Sequence, residues 1–187
     1  EVVATFLATI VGVLALVRFY SKKRSAYLFL ATGFLGTALL DGYHAVVTSS
    51  LFNHLMPSPP ESLIPWSWNA SRTFLALLMT IMWVASYREE KRGEKGRLRE
   101  GVVYAVVGTL TLSSCCFFAF VPLPRAYYPE LFFGRPEEFV DAALFGVALC
   151  GIASRADLRV NSFDRWFVWS LLAGFVAQAI VMSRSFA

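Results

Sequence analysis

The chain has 187 residues, of which 57% are hydrophobic and 16% charged, and its formal net charge is +4. The charges are bunched between long apolar runs, which is the pattern of a polytopic membrane protein and excludes an ordinary soluble domain. Lys and Arg sit at the ends of those runs, where they set helix orientation, so the positive balance reads as topology and not as a nucleic-acid footprint.

A helix needs about 20 apolar residues to cross the hydrocarbon core. Six segments meet or approach that length, at about 2–20, 26–49, 66–87, 101–121, 136–154 and 164–183. Backbone polar groups in lipid must be satisfied within the segment, so the expected fold is all-α, a single transmembrane helix bundle over 1–187. The first run lacks a basic leader and carries its basic cluster behind it, so it reads as a spanning helix and not as a cleavable signal. The connections "RFYSKKRS" (18–25), "YREEKRGEKGRLRE" (87–100) and "SRADLRVNSFDR" (154–165) are rich in Lys and Arg. "SSLFNHLMPSPPESLIP" (49–65) has neither, and "PLPRAYYPELFFGRP" (122–136) has only Arg125 and Arg135. The positive-inside rule puts the first three in the cytoplasm and the N-terminus outside. Six crossings then leave Ala187 outside as well, with no soluble domain there to account for it. The lipid bilayer is the first expected partner. Cys115 and Cys116 are neighbours and Cys150 stands alone, so no disulfide framework is visible.

That orientation gives each intramembrane polar residue a depth. At about 1.5 Å of rise per residue, Asp41 and His44 lie roughly 22–27 Å along the second helix, in its outer half. Trp68, Asn69 and Arg72 fall in the outer half of the third helix, Glu138 and Asp141 open the fifth, and Gln178 is far along the sixth. Glu1 begins the first helix on the same side. A charge at mid-membrane costs about 2.5–3.5 kcal/mol on insertion scales, so these groups should face the bundle interior. On the second helix Gly33, Gly36, Thr37, Asp41, His44, Ala45 and Thr48 form one stripe of small and polar side chains. The expectation is an outward-opening polar pocket that binds a small molecule or an ion through Asp41, His44, Trp68, Asn69, Arg72, Glu138, Asp141 and Gln178. Glu137 is expected to be solvated. Candidate metal ligands are Glu1, Asp41, His44 and Glu138. One intramembrane histidine cannot build an imidazole-rich zinc set or a bis-histidine haem, but a metal ion with carboxylate ligands or a single-histidine haem stays open.

The motifs "LLDGYH" (39–44) and "WSWNASRTFLAL" (66–77) resemble those of the third described type of bacterial membrane-associated sensor domain (MASE family), found upstream of histidine kinases and diguanylate cyclases. Arg72 takes the place of the arginine in that family's third helix. Glu1 could correspond to the family's glutamate near the start of helix one, and "EEF" (137–139) is similar to its acidic and aromatic pair, favouring Glu138. Ala45 stands where the family has Thr, Gln178 where it has Glu, and the loop after the second helix departs from the family's pattern. The resemblance implies a seventh helix and a cytoplasmic output domain in cis that belongs to two-component or cyclase signalling, with a homodimer as a further candidate partner. It also implies residence in the bacterial inner membrane. On this reading the domain itself is a sensor and not an enzyme. The alternatives are an intramembrane metal-dependent hydrolase and a haem-binding or purely structural anchor.

Overall fold

The computed structural model describes residues 2–93, 98–155, 162–181 and 183, and among them it is all-helical with no strand. The helices are α1 (Val2–Lys22), α2 (Ser25–Val47), α3 (Pro60–Arg92), α4 (Glu100–Phe120), α5 (Glu138–Ala153) and α6 (Ser162–Val176). A short 3-10 turn, Asn53–Leu55, precedes α3, and α6 widens into a π-helical stretch at Ala177–Val181. Four helices, α1 to α4, are long and apolar enough to cross a membrane, which places the chain among membrane proteins. α5, with 16 residues, is shorter than the segment expected at 136–154, while α6 and its π-helical stretch together run over 162–181, close to the expected 164–183.

The chain forms two compact units, Glu1–Ala126 and Tyr127–Ala187. In the first, α2 is central and packs against α1, α3 and α4. The apolar window of α2 is 67% buried, against 22% for α1 and for α4. The outward faces of those two, with Phe6, Leu7, Leu14, Val106, Leu112 and Phe120 exposed, are suited to lipid.

Close approach to α2 depends on glycine. A Cβ on Gly12 would lie 2.7 Å from Leu35 Cγ, and one on Gly33 would lie 3.0 Å from Met79 Cε. One on Gly36 would overlap the Phe74 ring and stand 3.2 Å from Thr111 Oγ1. Small residues at these crossings let the helices gain dispersion contacts that lipid chains would otherwise provide.

At one end of this unit the Ser25 backbone N–H donates to Glu89 Oε2 at 2.8 Å, so a carboxylate from α3 satisfies an otherwise unpaired amide at the start of α2. Lys23 Nζ lies 3.7 Å from Glu100 Oε2, and the Tyr20 and Tyr104 hydroxyls are 3.3 Å apart. The basic residues Lys22, Lys23, Arg24, Arg88, Lys91, Arg92 and Arg99 belong to this same end. At the other end α3 begins before the apolar run that starts at Trp66. Proline suits the first helical position, Pro60 occupies it, and the Pro59 carbonyl accepts from the Ser62 and Leu63 amides at 3.0 and 2.9 Å. Part of the Pro-rich segment 49–65 is therefore helix.

In the second unit α5 packs on α6 and its π-helical extension. Phe145 and Phe175 lie across Gly174 and Gly146 respectively, each about a side-chain contact away from the missing Cβ.

Gly36→Ala should destabilise the first unit by about 1–3 kcal/mol through overpacking against Phe74. Gly42→Ala should be neutral or slightly stabilising, since its nearest neighbour, Thr5 Cγ2, would be 3.7 Å away. Reversible unfolding in mixed micelles measures both, and equal effects would show that Gly36 is not a close-packing position.

Candidate functional site

The buried face of α2 carries Thr37, Asp41 and His44 at three- and four-residue spacing, and α3 supplies the groups opposite them. His44 is 4% exposed and Ser67 is 2% exposed; His44 Nδ1 and Ser67 Oγ are 2.7 Å apart. Ser67 Oγ also lies 2.5 Å from the Leu63 carbonyl oxygen, which can only accept. The serine therefore gives its one proton to Leu63 and accepts from His44 Nδ1–H. In the neutral ring this tautomer leaves the lone pair on Nε2. The Ser67 hydroxyl is thus not activated by the imidazole, although the distance alone would suit a nucleophile and its base. The Thr48 hydroxyl donates to the His44 carbonyl at 2.7 Å and holds the end of α2.

Asp41 is 1% exposed, and its nearest counter-charge is Arg72, with Nη2 3.7 Å from Oδ1. That separation is too long for a hydrogen bond, and Asp41 Oδ1 has none. The guanidinium is 24% exposed and lies over the Trp68 ring at 5.0 Å from its centroid, a cation–π contact at helical i, i+4 spacing. The carboxylate is sealed inside while its partner sits at the edge, held by the indole. Thr37 Oγ1 is likewise buried with no hydrogen bond. Asn69 is buried and points along a neighbouring face of α3, where the Thr73 hydroxyl donates to its backbone carbonyl at 3.1 Å.

Asp41, His44, Trp68, Asn69 and Arg72 all belong to the first unit, and Glu138, Asp141 and Gln178 belong to the second. There Glu138 and Asp141 are fully buried, and Arg135 Nη2 contacts Glu138 Oε1. Glu137, expected in water, is only 11% exposed, with Oε1 3.6 Å from Arg135 Nε. Arg135 is anchored by its backbone N–H, which donates to the Ser183 carbonyl at 3.2 Å. Gln178 lies in the π-helical stretch and donates from Nε2 to Asp141 Oδ2 at 3.3 Å. The wider turn of a π-helix changes which side chain faces a neighbour, and such stretches recur at functional sites.

Glu1 lies outside the described residues. Among the described residues no three of His, Cys, Asp and Glu gather closely enough to hold a metal ion. Two residues of these clusters went unseen in the sequence. Ser67 sits between two tryptophans and reads as part of a boundary, although it shares a face with Leu63 and Ser71. Arg135 reads as a loop charge.

Arg72→Leu should destabilise the first unit by about 3 kcal/mol, because it leaves a buried carboxylate without counter-charge. Adding Asp41→Asn should recover most of that loss. A double-mutant cycle by unfolding in mixed micelles measures the coupling, and additive losses would show that the two groups do not interact. Gln178→Leu should cost about 1 kcal/mol in the second unit by removing a donor from Asp141.

No family model, no curated protein and no solved structure matches this chain.

Proposed function

We propose that the chain is a membrane-embedded sensory input module, in which the α2–α3 seam around Asp41, His44 and Arg72 binds a small polar ligand or an ion. The observation that carries this reading is the under-satisfied ion pair. Asp41 Oδ1 is buried, makes no hydrogen bond, and stands 3.7 Å from Arg72 Nη2 in the most buried span. A buried polar group normally has a partner, so Oδ1 keeps an acceptor position for a ligand donor that approaches beside the guanidinium. The ligand would tighten the seam by bridging the carboxylate and the guanidinium beside His44.

Binding of this kind biases a bundle only through different affinity for two helix arrangements. α2 is the helix through which a change would spread, because it touches α1, α3 and α4. The basic end of the first unit supports a cytoplasmic placement for the α1–α2 connection and the end of α3, with the N-terminus outside and the seam in the outer half of the bilayer. The six crossings expected from the sequence require α5 and α6 to span as well. The resemblance of "LLDGYH" and "WSWNASRTFLAL" to the membrane-associated sensor family supports a bacterial inner-membrane setting and a kinase or cyclase output domain.

Two measurements test this. In the protein with its output domain, Asp41→Asn and His44→Ala should each change kinase or cyclase output severalfold in membrane vesicles without changing the amount inserted. Unchanged output in both would leave a structural anchor. Metal analysis addresses the hydrolase reading: stoichiometric zinc together with a hydrolytic activity lost in His44→Ala would replace the sensor reading.

A further inference from the structure

Leu7, Val11, Leu14, Arg18 and Lys22 recur at three- and four-residue spacing along α1, which puts them on one stripe of the helix. All five are exposed, in a helix long and apolar enough to cross a membrane. The stripe therefore passes from hydrocarbon to charge. Arg18 lies one helical turn, about 6 Å of rise, inside the end of α1 at Lys22. Its guanidinium carbon stands 5.3 Å from the centroid of the Tyr27 ring, in the first turn of α2. Arg24, also exposed, is the residue that precedes α2.

These cations have no counter-charge within the protein. Two carboxylates at this end are engaged elsewhere, Glu100 with Lys23 at 3.7 Å and Glu89 with the Ser25 amide at 2.8 Å. Among the described residues no ion pair joins a carboxylate to Arg18, Lys22 or Arg24. A guanidinium on a lipid-facing surface is costly, and its flexible stem lets the head move to the membrane boundary, where phosphate oxygens are the abundant acceptors. The Tyr27 ring attracts the charge but offers no lone pair in the ring plane of the guanidinium, so N–H donors remain for the oxygens of a phosphodiester, whose geometry matches their fork. The Tyr27 hydroxyl makes no hydrogen bond among the described residues and adds an O–H donor beside them.

The same residues set the sign and the length of the occupant. Three cations without a carboxylate repel the ammonium of a zwitterionic head group and attract one that is negative overall. From Leu7 to Arg18 the stripe rises about 16 Å, close to half of the roughly 30 Å hydrocarbon core, so its apolar part is as long as one leaflet.

We propose that α1 and the start of α2 bind one anionic glycerophospholipid. Its phosphodiester lies between Arg18, Lys22 and the Tyr27 hydroxyl, and an acyl chain follows Leu14, Val11 and Leu7. Because the head group touches both helices, the lipid fastens α1 to the central helix at their connecting turn. The site is separate from the Asp41–Arg72 pair, and its failure would leave the sensory reading of that pair standing.

The test titrates the purified chain, in micelles of a non-ionic detergent, with dioleoylphosphatidylglycerol and counts bound lipid by native mass spectrometry. The expected result is a single tightly held molecule per chain, with phosphatidylcholine of the same acyl chains about tenfold weaker. Arg18→Gln, an exposed change that keeps the fold, should weaken retention about tenfold, and Tyr27→Phe, which keeps the ring, about threefold. Arg92→Gln removes an exposed cation at the same end but on α3, and should leave retention unchanged. Equal weakening by Arg92→Gln and Arg18→Gln would mean diffuse attraction to a basic surface and would overturn the site. Phosphatidylcholine held as tightly as phosphatidylglycerol would overturn the ligand class, and displacement of the lipid by inorganic phosphate would make this a free-anion site and overturn the lipid.

Discussion

Burying α2 in a bundle that sits in hydrocarbon forces the arrangement of everything around it. A helix surrounded on most sides has no water to satisfy Thr37, Asp41 and His44, and unsatisfied polar atoms in such surroundings cost several kcal/mol each. The neighbours must come close and must bring hydrogen-bonding groups. Gly33 and Gly36 permit the first, and Ser67 and Arg72 of α3 meet the second.

The two polar contacts of that interface differ in kind. His44 and Ser67 form a closed chain that ends on the Leu63 carbonyl, so imidazole orientation and tautomer are both determined by the start of α3. Asp41 and Arg72 are held apart, one inside and the other drawn to Trp68 at the edge. The seam thus sets a fully hydrogen-bonded contact beside one whose carboxylate oxygen lacks a hydrogen bond. The second unit solves the same physical problem differently, with Arg135 from the preceding loop and Gln178 from a widened helical turn serving its two buried carboxylates.

Much of the helical layout was legible because length and hydropathy speak directly to the bilayer. The first, second and fourth helices lie within a few residues of their expected bounds, and Asp41, His44, Glu138, Asp141 and Gln178 are all buried as the cost of exposure to lipid requires. The start of α3 was not legible, since the prolines that punctuate 57–65 suit either a loop or the first turns of a helix, and only the Pro59 capping bonds distinguish them. α5 is shorter than its apolar run because it starts after the Arg135 turn, while α6, continued by the π-helical stretch from Ala177 to Val181, matches the expected length. Glu137 went astray for a related reason: its neighbour Arg135 folds onto it and takes it out of water.

By itself the sequence determined that this is an all-helical membrane protein, which end of the first unit is basic, and which face of α2 is polar, since each depends on composition or on a 3.6-residue period. Tertiary structure decided the pairings. Ser67 opposite His44 and Arg72 at a distance from Asp41 depend on how helices far apart in the chain rotate and cross. That rotation comes from glycine-sized gaps and buried polar partners acting together, and no single helix encodes it.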